Sequence, residues 1–212
     1  MSSDVSILSE QEKRQQRRGR IQAVAIMLVV LLPMVVAYSV YYTGVGMPKG
    51  TINKGHLITP PQPISELALH KLDGESWQLS EQARRWRWVI PGGAECNTQC
   101  RDNLYLTRQV HIRLAEKSGR LERIYLLLDE HIETATLEYI QTEHPHVPVL
   151  KASTDAVAAL LSRTDLAPDA IATGHYFLMD QEGFLMMAYS PQHQGNDLLD
   201  DIKRMLKYSY EE

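Results

Sequence analysis

A long uninterrupted apolar segment lies near the N-terminus of the chain. No charged residue occurs from Ile21 to Pro48, and nearly all residues from Ile21 to Val40 are apolar. About 20 apolar residues are enough for a helix to span the hydrocarbon layer of a membrane, whereas a helix on a soluble core keeps a polar face. The pattern therefore predicts a transmembrane helix over residues 21–43, within which Pro33 is tolerated.

The charges on either side of this segment predict its orientation. Cations cluster before it and are sparse after it: Lys13, Arg14, Arg17, Arg18 and Arg20 precede it, and Lys49 and Lys54 follow. Because cytoplasmic flanks carry an excess of Lys and Arg, we expect residues 1–20 to form a cytoplasmic tail. A cleaved signal peptide is the alternative, with Val35-Val36-Ala37 as a weak cleavage site.

Beyond the apolar segment the pattern changes twice. Residues 44–64 are rich in Gly and Pro and lack periodicity, which predicts an extended tether. Residues 65–212 show regular strand and helix patterns and predict one soluble domain on the far side of the membrane. The predicted elements are a hairpin over 67–79, strands at 86–90, 123–129 and 147–150, helices over 97–116, 134–142, 153–161 and 197–208, and a second hairpin over 175–189.

The order of these elements predicts an α/β fold. The run Arg123–Asp129 is continuously apolar at its centre, as in a strand covered on both faces, and helical patterns lie before and after it. A central sheet with flanking helices and an antiparallel hairpin at one end matches the thioredoxin-like plan. We therefore predict a thioredoxin-like sheet with flanking helices, preceded by one N-terminal transmembrane helix.

Composition excludes several classes of function. The chain has 44% hydrophobic and 23% charged residues and a net charge of -4, which is typical of a globular protein. It has no basic stripe outside the N-terminal tail, so we expect no nucleic-acid partner. Neither a phosphate-binding glycine loop nor a Gly-x-Ser-x-Gly nucleophile motif occurs.

The two cysteines of the chain are the strongest chemical signal. Cys96 and Cys100 follow the strand Trp86–Ile90 and its Pro-Gly-Gly turn, at the start of a predicted helix. Residues four apart on a helix share a face, with Cβ atoms roughly 5–6 Å apart. Two thiols so placed can bind one soft metal ion or form a disulfide, and a helix N-terminus favours the thiolate. A purely structural disulfide, or two ordinary buried thiols, is the alternative.

Copper would normally take a third ligand, and histidine is the usual donor. Of the eight histidines, His175 is the best candidate because it begins a strand that can lie near the cysteine loop. A half-exposed residue at the start of a strand is the equally simple interpretation. His131 can line the same edge, whereas His111 lies too far along the helix from Cys100. His144 and His146 flank Pro145 and have the pattern of solvated turn residues.

Three stretches of the domain resemble the Sco group of thioredoxin-fold copper chaperones and thiol oxidoreductases. They are the strand followed by Cys96-Asn-Thr-Gln-Cys100, the run Tyr125–Asp129 with Glu133-Thr134 after it, and the hairpin Phe177–Gly183. The similarity covers roughly Leu67 to Leu206 and extends to a divergent branch of small bacterial transmembrane proteins. Two features depart from the group: the Sco histidine falls nearer Ala172 than His175, and no proline lies between the cysteines.

The resemblance implies a function, a site and a location. It implies an assembly factor for cytochrome c oxidase that handles copper or thiols through Cys96 and Cys100, with His175 as a further candidate ligand. The partners would be a subunit or assembly factor of a membrane haem-copper oxidase and the lipid bilayer. The location would be the bacterial inner membrane, with the domain in the periplasm. Such a protein is a metallochaperone rather than an enzyme. The alternatives are a membrane-tethered thiol-disulfide oxidoreductase and a non-catalytic scaffold.

Overall fold

The computed structural model of the chain describes residues 3–45 and 52–209. The side chains of the first helix are described from Gln15 onward. Within the predicted tether, residues 46–51 lie outside the described part, as do residues 1–2 and 210–212 at the two ends. The chain divides into two compact units, residues 1–50 and 51–212, and each is described by itself.

The first unit is a single long helix, α1, from Ser3 to Thr43. Its part Gln15–Thr43 is long and apolar enough to cross a membrane, and it is the only such helix among the described residues. The helix ends where the apolar pattern predicted. It begins well before residue 21 because the preceding segment is rich in Glu, Gln, Lys and Arg, which are good helix formers.

The second unit is a seven-stranded mixed sheet with helices on both faces. The sheet order is β1-β7-β6-β3-β4-β5-β2, in which β3, β4 and β5 are parallel and the other pairings are antiparallel. The strands are β1 His56–Pro63, β2 His70–Lys71, β3 Trp86–Gly92, β4 Leu121–Leu127, β5 Val149–Lys151, β6 Tyr176–Met179 and β7 Phe184–Tyr189. The helices are α2 Thr98–Arg113, α3 Thr134–Glu143, α4 Thr154–Leu161 and α5 Gly195–Tyr208, with short 3-10 turns at Ile64–Glu66, Leu79–Glu81 and Ala115–Arg120.

The two central strands are buried on both faces, as the continuous apolar patterns predicted. Because successive side chains of a strand point to opposite faces, Trp88 and Ile90 of β3 pack with α2, α3 and α5. Val89 of the same strand packs with α4 on the other face. β4 divides its side chains in the same way. The parallel pair β3 and β4 therefore forms the rigid centre, and both strands end at the edge where the cysteine loop begins.

The structure corrects three sequence predictions. The tether 44–64 contains β1, which pairs with β7, so folded structure begins inside the segment that was predicted to be a linker. The hairpin 67–79 is shorter than predicted: β2 pairs with β5, and its two arms are joined by the bridge His70 to Ser76 and by backbone hydrogen bonds from Lys71 to Glu75 and from Trp77 to Leu69. The last helix begins at Gly195 and is capped by Gln194 with Asp197, rather than by Asn196.

Candidate functional site

Cys96 and Cys100 form a disulfide at the start of α2. Their Cα atoms lie 5.3 Å apart, within the usual range for a disulfide. Asn97 caps the helix, because its side-chain oxygen accepts a hydrogen bond from the Cys100 amide at 2.9 Å. The cap makes the loop turn into a helix between the two cysteines, which brings both sulfur atoms to the end of β3. The sequence prediction of a side-by-side cysteine pair at this strand-to-helix turn agrees with the structure.

Side chains from two neighbouring segments hold the backbone around Cys96. The Cys96 amide donates to the Thr136 hydroxyl of α3 at 3.1 Å. The Arg101 Nε donates to the Cys96 carbonyl at 3.0 Å, and the guanidinium of Arg101 lies 4.8 Å from the centre of the Tyr139 ring. Just before the pair, the Ala94 amide donates to the Asp129 carboxylate at 2.6 Å. The loop is therefore fixed by several bonds besides the disulfide.

A buried tyrosine lies directly under the disulfide. The Tyr125 hydroxyl donates to the Gly93 carbonyl at 2.7 Å, and its oxygen lies 3.9 Å from the Cys100 sulfur. Burial, with a smaller effect from Asp129, raises the pKa of Tyr125 well above its usual value. The hydroxyl therefore stays protonated and neutral. A side chain at Gly92 would overlap the Tyr125 ring, which explains a glycine at this position.

An open cavity of about 490 Å³ adjoins the cysteine loop. Cys100 forms part of its wall, together with Gln99, Asn103 and the loop residues Thr173 and Gly174. Cys96 is not among the described residues that line it. Asn103 of α2 joins the helix to the loop before β6, because its amide nitrogen donates to the Gly174 carbonyl at 3.0 Å. The disulfide is nearly buried, with 1% of Cys96 and 6% of Cys100 exposed, and the cavity gives access from the side of Cys100.

His175 follows Gly174, which lines this cavity, and directly precedes β6. Its Nδ1 is 2.9 Å from the Ala170 carbonyl, which can only accept, so this contact assigns the proton to Nδ1. The Nε2 atom is then the nitrogen with a free lone pair. Within the described part of the chain, no group of three or more His, Cys, Asp or Glu side chains is arranged to hold a metal ion. The role of His175 as a third ligand stays a prediction.

The other histidines occupy different settings. His131 lines a second cavity of about 920 Å³, which shares Asp129 and Thr154 with the first one. His144, predicted to be a solvated turn residue, is only 1% exposed. Its Nδ1 faces Arg123 at 3.4 Å and its Nε2 faces the Tyr139 hydroxyl at 3.3 Å. The prediction for His144 is wrong because Val147, two residues after Pro145, packs into the core and carries the preceding turn inward.

The charge on this buried histidine follows from its surroundings. Burial, with Arg123 and Arg108 acting in the same direction, lowers the pKa of His144 to about 4. The ring is therefore neutral near pH 7, and it accepts a hydrogen bond from Arg123 and donates one to Tyr139. Burial also lowers the pKa of Arg123 to about 10. No pattern of apolar spacing could indicate this network, because its members come from separate elements.

Comparison with known families decides which group the chain is part of. Residues 86–209 match the family described as transmembrane-like, thioredoxin-like, C-terminal domain, and residues 13–44 match the transmembrane-like N-terminal domain. The chain belongs to the transmembrane-like, thioredoxin-like family. The matched part of the domain runs from β3 to α5 and includes both cysteines. No curated protein matches the sequence.

Solved structures similar to this family member include Sco1 proteins. Yeast Sco1 with copper bound matches with a TM-score of 0.53 at 19% identity, over 76% of this chain and 97% of that one. Apo Sco1 from Thermus thermophilus matches with a TM-score of 0.54 at 17% identity, over 74% of this chain and 99% of that one. An uncharacterized thioredoxin-like protein from Porphyromonas gingivalis matches with a TM-score of 0.50 at 14% identity, over 69% and 93%. These likenesses confirm the thioredoxin-like fold and the resemblance to Sco structures.

Proposed function

We propose that this protein is a membrane-anchored, Sco-like assembly factor for cytochrome c oxidase that handles copper or thiols through Cys96 and Cys100. The observation that carries the proposal is the cysteine disulfide at the N-terminus of α2, next to an open cavity. Similarity to Sco1 structures, one of them crystallised with copper bound, supports the same assignment. Copper is the cargo in this proposal, and the oxidase or one of its assembly factors is the recipient.

The chemistry requires the disulfide to open. A partner dithiol supplies two electrons and two protons, becomes a disulfide itself, and leaves Cys96 and Cys100 as thiols. Thiolate sulfur is the ligand type that Cu(I) prefers, and the helix N-terminus stabilises the thiolate form. The two sulfurs supply two ligands, which is enough to hold one Cu(I) ion. The proposed third ligand is His175, through its Nε2 atom.

The proposed location is the bacterial inner membrane, with the N-terminus in the cytoplasm and the domain in the periplasm. The basic residues between Lys13 and Arg20, in the N-terminal part of α1, and the apolar segment that follows them support this arrangement. Protease added to intact spheroplasts should digest the domain and leave a protected fragment that contains α1. A domain that resists protease until the cells are lysed would contradict the proposed orientation.

The test of the function is oxidase assembly in cells that lack the chromosomal copy. Wild-type protein should restore the copper content and activity of the oxidase. The variants Cys96→Ser and Cys100→Ser, at equal protein levels, should not. Ser162→Ala, at the exposed C-terminal end of α4 and outside the lining of the cavity, is a matched control and should behave as wild type. Normal oxidase in cells with the double cysteine variant would contradict the proposal and favour a non-catalytic scaffold.

A second candidate function is a membrane-tethered thiol-disulfide oxidoreductase that acts on the cysteines of another protein. The specific observation in its favour is that the two sulfurs are already joined, while no set of three metal-ligating side chains is present within the described residues. Turnover with a protein disulfide in the absence of copper would favour it. An oxidase defect that added copper corrects would favour copper handling instead.

A further inference from the structure

The two sulfurs of the disulfide differ in their access to solvent. Cys100 lies on the wall of the 490 Å³ cavity, whereas Cys96 is outside that wall and only 1% exposed. The backbone of Cys96 is held by Thr136 on one side and by Arg101 on the other. Both cysteines are buried, with 1% of Cys96 and 6% of Cys100 exposed. Because thiol-disulfide exchange requires the attacking thiolate to reach the sulfur with which it bonds, the position of Cys100 on the cavity wall favours attack at that sulfur.

We infer that Cys100, the second cysteine of the pair, is the sulfur that exchanges with a partner thiol, and that Cys96 is the leaving group. The inference rests on the thiol chemistry proposed above. In the step, a thiolate RS⁻ from a partner cysteine attacks the Cys100 sulfur. A bond forms between RS and Cys100, the bond between Cys100 and Cys96 breaks, and its electron pair stays on Cys96 as a thiolate. No further oxidant or reductant is needed.

The surroundings of Cys96 suit a departing thiolate. Cys96 directly precedes the helix cap Asn97, where the unpaired amides of the first helical turn give a positive potential. The Arg101 guanidinium is fixed against the Cys96 carbonyl and adds a positive charge nearby. The better the leaving sulfur carries negative charge, the faster the exchange. Access therefore favours attack at Cys100, and the local charges favour departure of Cys96.

The lining of the cavity indicates what kind of thiol it admits. Its wall carries amide and hydroxyl side chains, including Gln99, Asn103 and Thr173, beside the carboxylates of Glu95 and Asp129 and several apolar residues. The amide and hydroxyl groups can pair with a peptide backbone, the apolar residues can contact its side chains, and the cavity has the size typical of small ligand sites. A cysteine within a peptide segment fits this chemistry.

The experiment traps the first product of the exchange. Oxidised full-length protein in detergent is mixed with reduced glutathione, quenched with N-ethylmaleimide after increasing times, and analysed by fragment-ion mass spectrometry. When the product ratio is extrapolated to zero time, the product with glutathione on Cys100 and maleimide on Cys96 should be in about tenfold excess over the product with the two labels exchanged. Glutathione on Cys96, or equal amounts on the two cysteines, would overturn the inference while leaving the proposed function intact. A disulfide that neither glutathione nor dithiothreitol opens would overturn both.

Two controls test whether access to the sulfur, rather than the local sequence, determines which cysteine is attacked. In urea-unfolded protein the preference should disappear, and a preference that persists there would overturn the inference. Ala172, an exposed residue of the cavity wall, allows a second test. The variant Ala172→Trp should slow formation of the Cys100 adduct by about tenfold by blocking the approach of the thiolate. Ala158→Trp, on the exposed surface of α4, should leave the rate unchanged. Equal rates in the two variants would contradict entry through the cavity.

Discussion

Two regions of the domain combine a buried tyrosine with a charged or reactive neighbour, and they differ in access to solvent. Tyr125 lies under the disulfide, and Tyr189 donates to the Asp201 carboxylate at 3.1 Å. Burial raises the pKa of both tyrosines, and for Tyr189 the charge of Asp201 adds to the effect. Asp201 is only 1% exposed, whereas Cys100 lines an open cavity. The comparison shows that a buried tyrosine with a raised pKa lies both at the Asp201 carboxylate and beside the cysteine pair, and that access to a cavity distinguishes the two places.

Asp201 has a structural role that its hydrogen bonds make clear. Besides Tyr189, its carboxylate accepts from the amides of Lys54 and Gly55, at 2.9–3.0 Å. His193 supports the same segment, because its Nε2 lies 3.0 Å from the Lys54 carbonyl. The carboxylate thus joins the chain just before β1 to α5. The hydrogen bonds from Lys54, Gly55 and Tyr189 satisfy this buried carboxylate and give it a structural role.

The largest expected effect is on stability, at the closed region around Tyr189 and Asp201. Asp201→Ala leaves two backbone amides and the Tyr189 hydroxyl without an acceptor, which should lower the free energy of unfolding by about 3 kcal/mol. Urea unfolding of the full-length protein in detergent, followed by tryptophan fluorescence, measures the change. Asp200→Ala removes an exposed carboxylate from the same helix and should cost less than about 0.5 kcal/mol. Equal losses in the two variants would refute the structural role of Asp201.

The second effect is a pH dependence from the buried histidine. His144 has a pKa of about 4 in the folded state, below the 6.5 of the unfolded chain. The unfolded state therefore binds the proton first as the pH falls, and folded stability is lost between pH 6.5 and 4. Between pH 7 and 4.5, we expect the free energy of unfolding to fall by about 2 kcal/mol less in the variant His144→Gln than in the wild-type protein.

The control for this prediction is the neighbouring histidine on the same turn. His146 is exposed, so His146→Gln should keep the full pH dependence of the wild-type protein. Unfolding by urea at a series of pH values compares the three proteins. If His144→Gln and wild type lose equal stability on acidification, His144 is not held neutral in the fold.

The third effect concerns the disulfide as a stabilising cross-link. It closes a ring of only a few residues, so the loop-closure contribution to stability is about 2 kcal/mol, less than the effect of Asp201→Ala. The variant Cys96→Ser/Cys100→Ser should therefore remain folded and lose all thiol reactivity. Circular dichroism and urea unfolding measure the first property, and maleimide labelling measures the second. A double variant that fails to fold would mean that the disulfide is chiefly structural.

The smallest effect is expected at Tyr125. Tyr125→Phe removes the hydrogen bond to Gly93 and should cost about 1 kcal/mol, because the carbonyl loses its donor. The exposed Tyr105→Phe is the matched control and should change the free energy of unfolding by less than about 0.5 kcal/mol. A loss at Tyr125 no larger than that at Tyr105 would show that the hydroxyl does not support the cysteine loop.

Local patterns predicted well the open region around the cysteine pair. The strand Trp86–Ile90, its Pro-Gly-Gly turn and the asparagine before the helix are adjacent in sequence, so the position of the cysteine pair follows from neighbouring residues. The closed region depends on contacts between distant residues and was missed. β1 was predicted as a linker because of its prolines, which an edge strand tolerates. One signal was present for Asp201: it lies on the apolar face of α5, between Leu198 and Ile202.

The most direct test of the account is a Cu(I) titration of the reduced full-length protein under anaerobic conditions. If the cysteine pair opens within the folded domain and handles copper, the reduced wild-type chain should bind Cu(I) in a one-to-one ratio. The oxidised chain and the variants Cys96→Ser and Cys100→Ser should bind none at that site. Equal copper content in the wild-type and the double cysteine variant would contradict the central claim.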